Sequence, residues 1–442
     1  MTTKRAWAAI LLVAAGCSDD GAPNVAGWED VSDVELPCDV AAAPCRSAIF
    51  QRVALLRSQP EAELPPIRII TRADYVSELE AGLDTSPESP RTTRFSNALG
   101  LLGLLERSQS LAVADSAASA ERVLAYYNHA SDDITLIAEN ATDEEDGSYT
   151  LAHELTHALQ DQRENLTEVD RKYITSTDSM VAVDALVEGE AMWTSIRFLS
   201  SIRDRTPKRT NTDSYFGGWI DSTLSDIADS GSPWVVAQQL LPYGFGGLRV
   251  SHVWFDDGGT RAVASLYRTA GVTFARWVEA SSVQKPQDLA CTPPTASAGG
   301  QSREVYDSFG MPGLIALYAG LGHSAEELLD LANGWRGDWL ATYAPKAADS
   351  TDTAIGWRIA LASSGQAMEL AAEVEDKLGL HTEVSGQELL IVGGTTDELQ
   401  AELANTLACT PASRVAQSAV PGSPNPVQAL ARSPRHVLFR RN

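Results

Sequence analysis

Basic residues are scarce in this sequence: 34 lysines and arginines face 59 aspartates and glutamates, a formal charge of −25. Such a surface repels phosphate backbones, so nucleic acid is excluded as the expected partner. Cysteine is scarce too, with five in 442 residues and no Cys-x-x-Cys pair, which argues against a zinc site built from thiolates. Long apolar runs are lacking after the N-terminus, and none there is long enough to cross a bilayer. Only seven histidines occur, so two at metal-ligand spacing carry weight. What is not lacking is apolar material: 44% of the chain is hydrophobic, enough for a real core divided over two or three structural units.

The N-terminus reads as an export signal, with Lys4 and Arg5 followed by an apolar run from Ala6 to Ala15. Ala14-Ala15-Gly16-Cys17 resembles a bacterial lipobox, with Ala14 where leucine is usual. The resemblance implies a lipid on Cys17 and a place at the bacterial cell envelope, membrane-anchored, or secretion where the lipobox is not used. Cys38, Cys45, Cys291 and Cys409 then remain for an oxidising compartment, an even number that predicts two disulfides. Three connectivities are open; spacing favours Cys38–Cys45 and Cys291–Cys409.

Along the chain, residues 1–17 are the signal and 18–45 a flexible tether rich in Asp, Gly and Ala. Helical periodicity at 46–58 and 91–108 predicts an N-terminal helical subdomain over 46–116. A core over 117–345 follows. It opens with a helix at 117–127 and a strand at Ile134–Ala138, then an acidic loop and helices at 148–162 and 178–202. Gly- and Pro-rich breaks are expected at 217–218, 230–233 and 242–247, and a helical stretch at 310–343. Residues 346–409 read as a small α+β unit of strand, helix, strand and helix, and 410–442 as a disordered basic tail. The fold class is α+β and mostly helical.

The informative segment is Leu151-Ala152-His153-Glu154-Leu155-Thr156-His157-Ala158-Leu159-Gln160, which holds His-Glu-x-x-His within a helical pattern. Side chains four apart on a helix lie about 40° from one another on adjacent turns, so both imidazoles can reach one ion. Glu154 lies beside them without being a ligand, while Leu151, Leu155 and Leu159 form the packing stripe. A catalytic zinc needs a third donor, and Glu188 in Ala185-Leu186-Val187-Glu188-Gly189-Glu190-Ala191 leads. Gly189 would let that helix approach the His-Glu-x-x-His helix closely. Glu190 lies about 200° around the helix and should face elsewhere. Asp184, one turn before Glu188, is placed to accept the second ring N–H of a ligating histidine.

These residues resemble the gluzincin metallopeptidases, the thermolysin-like and aminopeptidase N types, and Glu-Gly-x-Ala around Glu188 is similar to the third-ligand motif of the latter. In those relatives the glutamate follows the second histidine more closely than across residues 158–187, which leaves Asp184 and Glu190 as alternatives to Glu188. A wider resemblance, from Tyr126 to about Tyr343, is to uncharacterised bacterial proteins carrying His-Glu-Leu-Thr-His-Ala-Leu-Gln-Asp-Gln.

The resemblance implies a zincin-like catalytic core and one Zn2+ per chain, with a peptide or protein substrate. In that mechanism the metal acidifies its water and polarises a peptide carbonyl, while Glu154 takes the water proton and returns it to the leaving amine. Ile134–Ala138 is then the expected edge strand for substrate, and Tyr243 or His252 the expected oxyanion donor. The competing reading is a lipid-anchored binding or assembly protein with a non-catalytic peptidase-like fold.

Overall fold

The structure, a computed structural model, describes residues 34–82, 89–140, 142–269, 273–278, 283, 285–289, 291–297, 300–347, 349–408 and 435–438. The signal, Cys17, most of the tether and Cys409 lie outside the described residues.

In chain order the elements are α1 (Ala43–Leu56), β1 (Ile67–Ile70), α2 (Arg72–Gly82), α3 (Pro90–Leu101), α4 (Leu111–Arg122), β2 (Val123–Asn128) and β3 (Asp133–Ile137). Next come α5 (Glu144–Glu164), α6 (Leu166–Tyr173), α7 (Thr177–Ile202), α8 (Arg209–Ala228), α9 (Pro233–Asp257) and α10 (Thr260–Leu266). The remainder is β4 (Ser302–Asp307), α11 (Gly310–Gly320), α12 (Ala325–Ala332), β5 (Trp335–Ala344), β6 (Ala354–Leu361), α13 (Ser364–Leu378), β7 (His381–Ser385), β8 (Glu388–Gly394), α14 (Asp397–Leu407) and β9 (Arg435–Leu438). The class is α+β, with helices around a four-stranded sheet of order β1-β3-β2-β9 and a five-stranded sheet of order β4-β5-β6-β8-β7.

α5 forms where the acidic loop predicts a helix start. Asp143 caps it by accepting from the Glu145 and Asp146 amides, and Glu144, Glu145 and Asp146 set negative charge against the positive helix end. Asn165 ends it in the left-handed conformation at φ 54° and caps α6 in turn by accepting from the Glu168 amide. Leu151, Leu155 and Leu159 are fully buried against Ala125, Tyr127, Ile134 and Leu136 of the four-stranded sheet and against α1. Each such leucine contributes about 1.5–3 kcal/mol of burial.

The larger core joins α7, α8, α9 and α11 to one face of the five-stranded sheet. That sheet carries α13 on this face and Leu403 and Leu407 of α14 on the other.

Several boundaries differ from those the sequence predicts. The helix expected at 117–127 ends at Arg122, and β2 begins at Val123, where Val123, Ala125, Tyr126 and Tyr127 fit a half-buried sheet. The helical stretch expected at 310–343 gives way at Trp335 to β5, which pairs along most of β6. The C-terminal α+β unit therefore begins earlier than residue 346, because β4 and β5 belong to its sheet. Nor do residues 46–116 form a separate helical subdomain: α1 packs on α5, and β1 pairs in parallel with β3. In the tail, residues 435–438 pair as β9 with β2. The strand at 133–137 is not an edge, since β1 and β2 flank it on both sides.

Two of the expected Gly/Pro breaks lie inside helices. Gly217 and Gly218 fall within α8, and Pro242 to Gly247 within α9. The glycines of α9 serve close packing: a Cβ on Gly246 would stand 2.0 Å from the Ala185 carbonyl oxygen of α7, and one on Gly247 would stand 2.0 Å from the Phe216 ring of α8. Gly189 answers from α7, where an added Cβ would meet the Gly246 carbonyl carbon at 2.3 Å. Its close approach is thus to α9 and not to α5.

Candidate metal centre

α5 and α7 carry the two halves of the site and cross over it. His153 and His157 present Nε2 from successive turns of α5, and Oε2 of Glu188 on α7 lies 3.1 Å from the first and 3.3 Å from the second. One donor atom from each lies within 4.8 Å of the others, and the group could hold a metal ion. All three side chains are buried, with both imidazoles 0% exposed and Glu188 5%. Two nitrogens and one carboxylate oxygen are donors that suit a divalent transition metal.

The polar groups around this point are unsatisfied in a way an ion and its water would relieve. The fully buried Glu154 carboxyl has no side-chain partner, only the Tyr127 backbone N–H turned toward it, and His157 Nε2 has none beyond the Glu188 carboxylate. Burial pushes the Glu154 carboxyl far above the usual carboxylate range; the charge of Glu188 adds to that, and the Tyr127 backbone N–H opposes it weakly. Burial lowers His153 to about 4 despite the Glu188 carboxylate beside it, so the ring is neutral at pH 7, as a ligand must be. For Glu188, burial acts upward, but the two imidazoles outweigh it and hold the carboxyl below its ordinary value.

The second nitrogen of His157 is held by Gln160, whose Oε1 lies 2.8 Å from Nδ1. Gln160 Nε2 donates to the Val187 carbonyl at 2.8 Å and to Glu190 Oε2 at 3.1 Å. With both amide protons facing acceptors, the amide oxygen must face His157, so Nδ1 carries the proton and Nε2 keeps its lone pair for a metal. Glu190 is held in turn by a buried ion pair with Arg57 of the α1 C-terminus and by the Tyr267 hydroxyl, which donates at 2.7 Å.

Glu190 therefore faces away from the ligand position, as the helical angle predicts, yet reaches the centre through Gln160. The group found on the His157 ring is Gln160, while Asp184 lies half-buried on α7.

Tyr243 of α9 stacks on His153 with ring centroids 6.2 Å apart, and Trp219 of α8 stacks on Tyr243 at 6.1 Å. His252 is nine residues further along α9, about 13 Å at helical rise. Its Nε2 lies 2.7 Å from Asp213 of α8. Sequence reasoning also missed Tyr149, one turn before His153, whose hydroxyl lies 3.3 Å from that of Tyr215. The 3.6-residue period marks Tyr149 and Gln160 as neighbours of the ligands; nothing in the sequence marks Arg57.

Elsewhere, Cys38 and Cys45 form a disulfide beside Ser148 at the start of α5, and the Cys38 amide lies 3.4 Å from Ser148 Oγ. Cys291 is disulfide-bonded as well. No helix among the described residues is long and apolar enough to cross a membrane. The chain matches no family model, no curated protein and no solved structure.

Proposed function

We propose that this chain is a zinc-dependent peptidase of the cell envelope, with His153, His157 and Glu188 as ligands and Glu154 as general base. The observation that carries the reading is the meeting of three neutral-or-anionic donors within 4.8 Å beside a buried carboxyl with no side-chain partner. Three protein donors are a catalytic arrangement, because a structural zinc fills all four positions from the chain. The resemblance of His153–His157 and of Glu188-Gly189-Glu190-Ala191 to the gluzincins supports the same assignment.

Zinc, when bound, acidifies a water and polarises a carbonyl. The chain's own residues do the rest. Glu154, one residue from His153 and without a side-chain partner, takes the proton of the attacking water and delivers it to the leaving amine. Gln160 and Glu190 keep His157 in the ligating tautomer. Tyr243, stacked against His153, is the nearer of the two expected oxyanion donors. Lipid on Cys17 would place the activity at a membrane surface, and the acidic body gives no footing to nucleic acid.

A second reading, a lipid-anchored binding protein with a non-catalytic peptidase-like fold, is favoured by one observation: His153, Glu154 and His157 are all 0% exposed. Metal content and cleavage of a mixed peptide library, measured on wild type and Glu154→Gln, separate the two. The peptidase reading expects about one zinc in both proteins and cleavage about 10²- to 10⁴-fold slower in the variant. A zinc-loaded wild type that cleaves nothing would leave the binding reading.

A further inference from the structure

β2 runs beside the candidate general base. Tyr127 of β2 sets its backbone N–H toward the Glu154 carboxyl, and its hydroxyl lies 2.9 Å from Asp161, two turns further along α5. One edge of β2 is taken by β3. The other is taken by β9, antiparallel, with Ala125 opposite Val437, Tyr126 opposite His436 and Tyr127 opposite Arg435. The residue that neighbours Glu154 is thus the residue that faces Arg435, and α5 itself touches β9.

We infer that the outer edge of β2 is a strand-addition surface for an extended peptide, and that the chain's own residues 435–438 occupy it. The inference rests on reading α5 as a peptidase helix. Backbone hydrogen bonds along a sheet edge bind any extended chain with little regard to sequence, so a strand laid there brings a peptide bond past Glu154. β9 is such a strand, and an incoming peptide can pair with β2 only when residues 435–438 leave.

Charge favours the internal occupant. Residues 410–442 hold five arginines, Arg414, Arg432, Arg435, Arg440 and Arg441, and no acid, so removing their +5 from −25 leaves −30 on the rest of the chain. A basic segment tethered to so acidic a body is drawn back to it, most strongly at low salt.

The test uses zinc-loaded full chain, a variant ending after Thr410 that keeps Cys409, and the full-length double variant His436→Pro, Val437→Pro. Adjacent prolines remove the amide that donates to β2, whichever of the two it is, without shortening the chain. Hydrogen exchange at the amides of residues 123–128, cleavage of a peptide library and binding of a synthetic peptide of residues 431–442 are measured together. The inference expects faster exchange in both variants, restored by the synthetic peptide, which also competes with substrate. An edge occupied nine-tenths of the time lowers apparent substrate affinity about tenfold, so both variants should cleave about tenfold faster at limiting substrate. Exchange and peptide binding that behave this way without cleavage in any form uphold the strand contact and sink the peptidase reading. Cleavage that is equal in all three proteins, with unchanged exchange, overturns the inference and leaves the peptidase reading standing.

Discussion

Nδ1 of His157 lies 2.8 Å from Oε1 of Gln160, three residues on along the same helix, and the amide is held in that sense by Val187 and Glu190 of α7. The tautomer of His157 is therefore set from the neighbouring helix. Gln160→Leu, which removes the acceptor at similar volume, is expected to weaken zinc affinity about 10- to 100-fold. Glu190→Gln should do so less, since it only frees the amide to flip. Competition with a chromophoric chelator measures both; equal affinity in wild type and Gln160→Leu would refute the positioning role.

Glu188→Gln keeps the shape of the third donor but loses its charge. Zinc affinity and cleavage should fall together, unlike Glu154→Gln, where only cleavage falls. His157→Ala should lose the metal altogether. Metal retention by His157→Ala in a chelator that strips surface sites would count against the whole assignment.

The contact of Gly189 with Gly246 fixes how near α7 lies to α9. An added Cβ at either position would overlap backbone at 2.0–2.3 Å, and neither helix can yield without moving the turn that carries Glu188. Gly246→Ala is expected to destabilise by about 1–3 kcal/mol or more, the usual range for overpacking, and to weaken zinc binding as well. Thermal unfolding with and without zinc reads both effects.

A separate pH dependence follows from the carboxyls where α7, β4 and β5 meet. Asp178 accepts from the Phe274 amide at 3.0 Å and Asp307 from the Thr177 amide at 2.9 Å, while Asp338 accepts from the amides of Phe309 and Gly310 at the start of α11. Burial raises Asp178 and Asp307 from 3.8 to about 7. A raised carboxyl binds its proton more tightly in the folded state, so its contribution is complete below about pH 4 and is lost as pH climbs through 7. The urea midpoint of wild type should fall between pH 5 and 7.5, and Asp178→Asn should show a shallower fall. Identical slopes in the two proteins would refute this.

The sequence alone determined the elements whose signals are local. Asp143 and the acids after it mark where α5 begins, Leu151, Leu155 and Leu159 mark its buried face, and four-residue spacing brings His153 and His157 to one point. These follow from helix geometry and need no partner. The third carboxylate was legible as a choice among Asp184, Glu188 and Glu190, and the packing of α7 on α5 turns Glu188 to the imidazoles and Glu190 to Arg57 and Gln160.

Only tertiary structure could decide the rest. Pro242 and the glycines after it carry the local signature of a break, yet they continue α9, where the absence of a side chain at Gly246 and Gly247 admits Ala185 and Phe216. A strand's place in a sheet is equally nonlocal: nothing within residues 133–137 shows that β1, from far earlier in the chain, covers one side, or that residues 435–438 pair with the far edge of β2. Backbone hydrogen bonds between strands depend on which chains meet and hardly on which side chains they carry, so the pattern that identifies a strand is silent about its neighbours.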